Sequence, residues 1–214
     1  MIKKTITYAL AFIFCVFIFG CASTPKERSV VALILSGKGN EAKSLFQSKY
    51  DINETDASGN TPLHAAALVD DADVAHFLLI KGADDTKVNF DGDTPLHAAI
   101  KNDSFGAARI FTENGSGVFV RNVYGKTAFE EGFEKNEAYE RIFITQKTGS
   151  ARDTDGNTIV HYCVRMQNEG AVRECIKKGI PVSVQNNAGK TPLDIVLEDS
   201  GDEKSVAIAA DLIT

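Results

Sequence analysis

Thr61-Pro62-Leu63-His64 stands 33 residues before an identical block, Thr94-Pro95-Leu96-His97. Related blocks follow at Thr127-Ala128-Phe129-Glu130, Thr158-Ile159-Val160-His161 and Thr191-Pro192-Leu193-Asp194, giving spacings of 33, 33, 31 and 33. A glycine lies two positions before each threonine, at Gly59, Gly92, Gly125, Gly156 and Gly189. A fixed period of this size marks a repeat architecture, in which each unit covers its neighbour's apolar face.

The residues of one unit predict its local structure. Threonine caps a helix N-terminus, and proline suits the first helical position, where its missing N–H has no partner to lose. Ala65-Ala66-Ala67 and Ala98-Ala99 then make a slim first helix that neighbours can approach closely. The polar break Asp70-Asp71-Ala72-Asp73 precedes an apolar second helix, Val74 to Ile80. Gly82 closes that helix in the left-handed conformation, as Gly115 and Gly179 do in later units. The Asn-, Asp- and Gly-containing segment before the next block reads as tight turns.

This unit resembles the ankyrin repeat, a 33-residue turn–helix–loop–helix element with a Thr-Pro-Leu-His signature, and implies an all-α solenoid of about six units with diverged caps. The units expected are about 29–55, 56–88, 89–121, 122–152, 153–185 and 186–214. The resemblance is strongest over residues 56–120. Residues 121–152 are degenerate, with Ala128 for proline, Glu130 for histidine and Gln146 near the C-cap glycine position. Residues 153–185 keep His161 but have Ile159 for proline and a connection two residues shorter. Ser29–Ile34 and Asn40–Ser48 read as a diverged first helix pair. Polar caps are expected from Arg28, Lys38 and Lys43 at one end and Asp199, Asp202, Glu203 and Lys204 at the other, with Val206, Ile208 and Leu212 as the buried stripe of the last helix. The signature residues Thr61, Pro62, Leu63, His64, Thr94, Pro95, Leu96, His97, His161, Thr191 and Pro192 carry structural roles in the family, the histidines through hydrogen bonds to backbone.

The first twenty residues read differently. Lys3 and Lys4 precede an uncharged run from Ile6 to Phe19, too short to span a bilayer core that needs about 20 apolar residues. A basic start, a short apolar core and Gly20 predict a secretory signal peptide. Ile18-Phe19-Gly20-Cys21 resembles the bacterial lipobox, although the family prefers a smaller residue than Phe19. The resemblance implies cleavage after Gly20 and acylation of Cys21, palmitate-type chains included; an uncleaved anchor is the alternative. Several acyl chains hold a protein stably on a bilayer. Residues 21–28 form a short polar tether, extending at most roughly 25 Å beyond Cys21. The expected location is the bacterial cell envelope, lipid-anchored, with the outer membrane favoured because Ala22 is not the aspartate that retains some lipoproteins at the inner membrane.

Composition narrows the function by exclusion. A formal charge of −6 becomes −8 once Lys3 and Lys4 leave with the signal, which disfavours nucleic-acid binding. No nucleophile elbow, zinc-protease helix, phosphate loop or dinucleotide fingerprint occurs. His64, His97 and His161 lie about one repeat apart, too far to share a zinc at about 2.0–2.1 Å, and His76 reads as surface. Cys163 takes the slot of Ala66 and Ala99, and Cys175 that of Leu78. They are two thiols on facing helices, either buried and free or joined as a disulfide. His161 and Cys163 are two apart on a helix and point apart, so they form no catalytic dyad. The expectation is no enzyme, no cofactor, no metal and no small-molecule substrate.

What remains is a surface. In ankyrin proteins the concave side, made of turn fingers and the exposed flank of each first helix, binds other proteins. Carried onto this chain, the finger positions are Ala57, Ser58, Asn60, Phe90, Asp91, Asp93, Val123, Tyr124, Lys126, Thr154, Asp155, Asn157, Asn187, Ala188 and Lys190. The helix positions are Leu68, Val69, Lys101, Asn102, Glu134, Lys135, Arg165, Met166, Glu198 and Asp199. Phe90 and Tyr124 at adjacent fingertips, with Leu68 and Val69 nearby, have the composition of a binding hot spot; the alternative is that they fold back onto the neighbouring unit. The expected site comprises Leu68, Val69, Phe90, Asp91, Asp93, Lys101, Val123, Tyr124, Lys126, Arg165 and Met166. It would bind another protein, or, in a second reading, the surface serves a companion that stabilises an exported enzyme.

Overall fold

The computed structural model describes residues 29–46, 50–115, 117–198 and 203–213. The signal peptide, Cys21, the tether with Arg28, and Asp199 and Asp202 lie outside them. Thirteen helices occupy the described residues. They pair as α1 (Val30–Leu35) with α2 (Gly39–Leu45), α3 (Pro62–Leu68) with α4 (Ala72–Ile80), and α5 (Pro95–Lys101) with α6 (Phe105–Asn114). Then come α7 (Ala128–Lys135) with α8 (Glu137–Phe143), a short α9 (Gln146–Ser150), α10 (Ile159–Arg165) with α11 (Glu169–Lys177), and α12 (Pro192–Glu198) with α13 (Glu203–Ile213). First helices pack on first helices and second on second from the first unit to the fourth, and again from the fifth to the sixth.

The caps form as their residues dictate. Thr61 and Thr94 accept the backbone N–H three residues on, while His64 and His97 accept the threonine N–H through Nδ1 at 3.2 and 3.3 Å. Glu130 and Asp194 do the same with a carboxylate in their own units. Each cap contributes about 1 kcal/mol by satisfying donors the helix leaves orphaned. Gly82, Gly115 and Gly179 take φ of 87°, 83° and 68°, the left-handed closure expected of them. Leu63, Leu96, Ala66 and Ala99 are fully buried between successive first helices, and each such leucine stabilises the stack by about 1.5–3 kcal/mol.

Three features differ from expectation. In the fourth unit the second helix stops at Phe143 and Gln146 opens an extra helix, α9, which Thr145 caps. This α9 packs on α10 of the fifth unit and also on α6 of the third. The fifth unit's first helix carries Tyr162 where the second and third units have Ala65 and Ala98. That ring stacks on Phe119 at 4.9 Å and meets Phe129 edge-on at 5.8 Å, so an aromatic joint replaces the alanine seam. In α13 the buried residues are Ser205 and Ile208, with Leu212 partly covered, while Val206 is 67% exposed. Val206 and Ile208 are separated by about 200° around a helix and cannot share a face. The last unit also leaves Leu197 and Ile213 exposed, so its outer face is less polar than Glu203 and Lys204 alone suggest.

Candidate functional site

The fingers are built from one recurring side chain. Asp56, Asn89, Asn122, Asp153 and Asn186 each stand five positions before the block threonine. Each accepts the backbone N–H groups two and four residues on, at 2.7–3.2 Å. Where this residue is asparagine, its amide also donates to the preceding finger: Asn89 to Asn60 at 3.0 Å, Asn122 to Asp93 at 3.3 Å and Asn186 to Asn157 at 2.9 Å. The histidines complete the ladder, since Nε2 of His64, His97 and His161 donates to the carbonyls of Asp93, Lys126 and Lys190 at 2.8, 3.1 and 3.1 Å. All three are buried, and burial holds their imidazoles below the ordinary value despite those carbonyls. Their role is structural, and His76 is exposed. Among the described residues no cluster of His, Cys, Asp and Glu could hold a metal.

The structure sorts the expected surface residues into two groups. Phe90, Val123 and Tyr124 project from the third and fourth fingers, 79%, 66% and 76% exposed, with Asp91 exposed beside them. Phe90 and Val123 also lie across the preceding glycines: a Cβ at Gly59 would meet the Phe90 ring at 2.8 Å, and one at Gly92 would meet Val123 Cγ1 at 2.5 Å. These side chains therefore lean on the neighbouring unit and remain open to solvent. Most of the other residues are already engaged. Asp93 is 5% exposed, with its carboxylate 2.6 Å from Lys101 Nζ, and so is not the free finger residue expected. Lys101 also sits 5.5 Å over the Tyr124 ring. Burial opposes its charge, yet the bond to Asp93 leaves its pKa raised on balance. Lys126 pairs with Glu134, and Lys135 with Asp103 at 2.7 Å. Leu68 is partly buried against the core, and its carbonyl accepts from Asn102 at 2.7 Å; Val69 is exposed. Arg165 is exposed and Met166 packs partly on the core.

Sequence reasoning missed the charge lattice beneath the fingertips. Asn122 links Asp93 to Glu131, donating to the latter at 2.7 Å. A depression of about 420 Å³ lined by Ile100, Lys101, Lys126, Glu131, Glu134 and Lys135 lies on this face. The recurring Asn/Asp five positions before each threonine was the signal that could have located it. A larger opening of about 600 Å³ lies elsewhere, between Gly115 with residues 117–121 and residues 151–155 at the aromatic joint. Backbone bonds tie the second finger to the third, Phe90 N–H to Ser58, and the fifth to the sixth, Asn187 N–H to Asp155, at 3.1 and 2.8 Å. Cys163 and Cys175 are buried free thiols.

Comparison with known proteins agrees with this geometry. The family described as Ankyrin repeats (3 copies) matches residues 29–122. The human transient receptor potential cation channel subfamily A member 1 is 26% identical over 158 residues, 70% of this chain, and the chain spans only 14% of that protein's length. Among solved structures, the chain resembles the ankyrin repeat domain of Bcl-3, with 18% identity, TM-score 0.57, and 85% of this chain and 81% of that chain covered. It also resembles the ankyrin repeat protein EF0377, with 20% identity, TM-score 0.53, and coverage of 87% and 97%. A chain from the complex of the Bd0816 predatory endopeptidase of Bdellovibrio bacteriovorus with immunity protein Bd3460 matches at 25% identity and TM-score 0.50, with 86% and 98% covered. Residues 29–122 thus match the ankyrin-repeat family model, and the described residues fold as a solenoid of helix–turn–helix units like that of ankyrin-repeat domains.

Proposed function

We propose that this protein is a lipid-anchored lipoprotein of a bacterial cell envelope that binds another protein through the third and fourth fingers and the helix face beside them. The observation that carries the reading is the exposed trio Phe90, Val123 and Tyr124 above a lattice of paired charges. Large apolar side chains held in place by a rigid backbone, with polar groups around them, are what binding energy concentrates on. The acidic composition and the absence of any recognisable catalytic constellation support a binding role over an enzymatic one.

Replacing Phe90 and Tyr124 together with alanine should weaken the partner at least about 30-fold, the equivalent of about 2 kcal/mol, while the melting temperature changes little. A photo-crosslinking residue at Val123 in whole cells checks this. One crosslinked species should vanish in the double variant, and an unchanged pattern in a folded double variant sinks the site. The anchor is tested separately: Cys21→Ala should move the chain from the membrane to the soluble fraction and abolish labelling by a palmitate analogue. Unaltered fractionation and labelling would remove the lipoprotein reading.

The likeness to a chain of the endopeptidase–immunity protein complex favours a second reading, a protective companion of an exported enzyme. Its mark would be a partner captured in fixed stoichiometry whose activity falls when the chain binds. A partner with no enzymatic activity leaves only the first reading.

A further inference from the structure

Two buried thiols face each other inside the fifth unit. α10 and α11 pack together, Cys163 and Cys175 are both wholly buried in the core these helices share, and Cys175 is among the groups that raise the Cys163 thiol after burial itself. The equivalents of Cys163 in the second and third units are Ala66 and Ala99, so packing alone does not call for sulfur there. The unit that holds the pair also borders the opening at the aromatic joint, where α9 stands between the fourth unit and the fifth.

We propose that Cys163 and Cys175 are a redox pair that closes to a disulfide within the fifth unit, clipping α10 to α11. The electron acceptor is the disulfide of a thiol–disulfide oxidant. One cysteine thiolate attacks that disulfide, forming a mixed disulfide and expelling a thiolate. The second cysteine thiolate then attacks the protein sulfur and expels the other. The two thiol protons leave to solvent, and the oxidant's disulfide is reduced to two thiols. Burial pushes the folded Cys163 thiol well above its ordinary range, and only the thiolate reacts. The exchange therefore belongs to the chain while it folds, and once packed the pair is shielded in whichever state it reached. The bond joins positions 163 and 175 and so constrains the unfolded chain, which raises stability. The inference is independent of the partner surface and of the lipid anchor, and it gives the fifth unit an oxidation-dependent rigidity suited to a compartment outside the cytoplasm.

The test refolds the full chain from urea in a buffer of oxidised and reduced glutathione, blocks remaining thiols with iodoacetamide under denaturing conditions and digests with trypsin. Cleavage after Arg152, Arg165, Arg173 and Lys177 places the two cysteines on different peptides. The expected product is residues 153–165 joined to 174–177, lighter by two hydrogen atoms than the two free peptides together. Cys15 and Cys21 fall on other peptides and are distinguished by mass. The oxidised chain should melt about 5–10 °C above the same chain in reductant. Cys163→Ala, which installs the residue of the second and third units, should fold and lose that difference. Carbamidomethylated 153–165 and 174–177 after refolding, or a reductant effect that persists in Cys163→Ala, overturns the proposal.

Discussion

Phe129→Ala is expected to cost about 3–5 kcal/mol of folding stability. Phe129 is fully buried, and it touches the rings of Phe119, Phe133, Phe143 and Tyr162 with centroids 4.1–6.3 Å apart. Its counterparts in the second and third units are Leu63 and Leu96, so alanine leaves a void in the part of the stack that has the bulkiest partners. The surrounding rings cannot collapse into it without leaving their own rotamers and their contacts across the joint. Unfolding in urea, followed by circular dichroism, should show a lower midpoint and a transition divided between the units before the joint and those after it. Repeat arrays lose cooperativity where one interface weakens. A single unshifted transition would show that the aromatic joint does not hold the two parts together.

His97→Ala is expected to cost about 2–4 kcal/mol, because it removes three bonds at once and leaves the buried Thr94 N–H without a partner. The ring accepts from Thr94 N–H at Nδ1 and donates from Nε2 to Lys126, which requires the neutral Nε2–H tautomer. Protonating Nδ1 would set a proton against the Thr94 N–H donor. Burial holds His64, His97 and His161 below their ordinary 6.5. The unfolded chain then binds more protons than the folded one below about pH 6.5, so stability is full above that value and falls as pH drops through the window beneath it. Urea midpoints measured from pH 8 to pH 5 should stay level and then decline. His97→Ala should flatten part of that decline, whereas replacing the exposed His76 should leave it intact. A decline unaltered in His97→Ala would exclude the ring as its source.

Much of the fold is legible in the chain because its determinants are local. Thr94, Pro95 and His97 lie within three residues of one another, and the cap they form needs nothing from elsewhere. Gly82 and Gly179 mark helix ends because their backbone adopts a left-handed conformation other residues avoid. The aromatic joint was less legible. Tyr162 sits in a position that the period identifies as small, but only the packing shows it stacked on Phe119, 43 positions earlier in the chain. The extra helix at Gln146 was hidden for a related reason, since a degenerate unit carries no signature to align against. At the candidate site, Phe90 and Tyr124 could be nominated from their register. The engagement of Asp93 could not, because Lys101 reaches it from the helix that follows and Asn122 from the next unit's finger.

By itself the sequence determined the repeat period, the helix caps, the ankyrin resemblance and the places where fingers must turn, all of them consequences of residues a few positions apart. The tertiary structure alone decided which of the surface residues remain free. Exposure depends on what arrives from other elements, and that is how Asp93 came to be covered, held by Lys101 from the following helix and by Asn122 from the next unit's finger, while Phe90, Val123 and Tyr124 stayed in solvent.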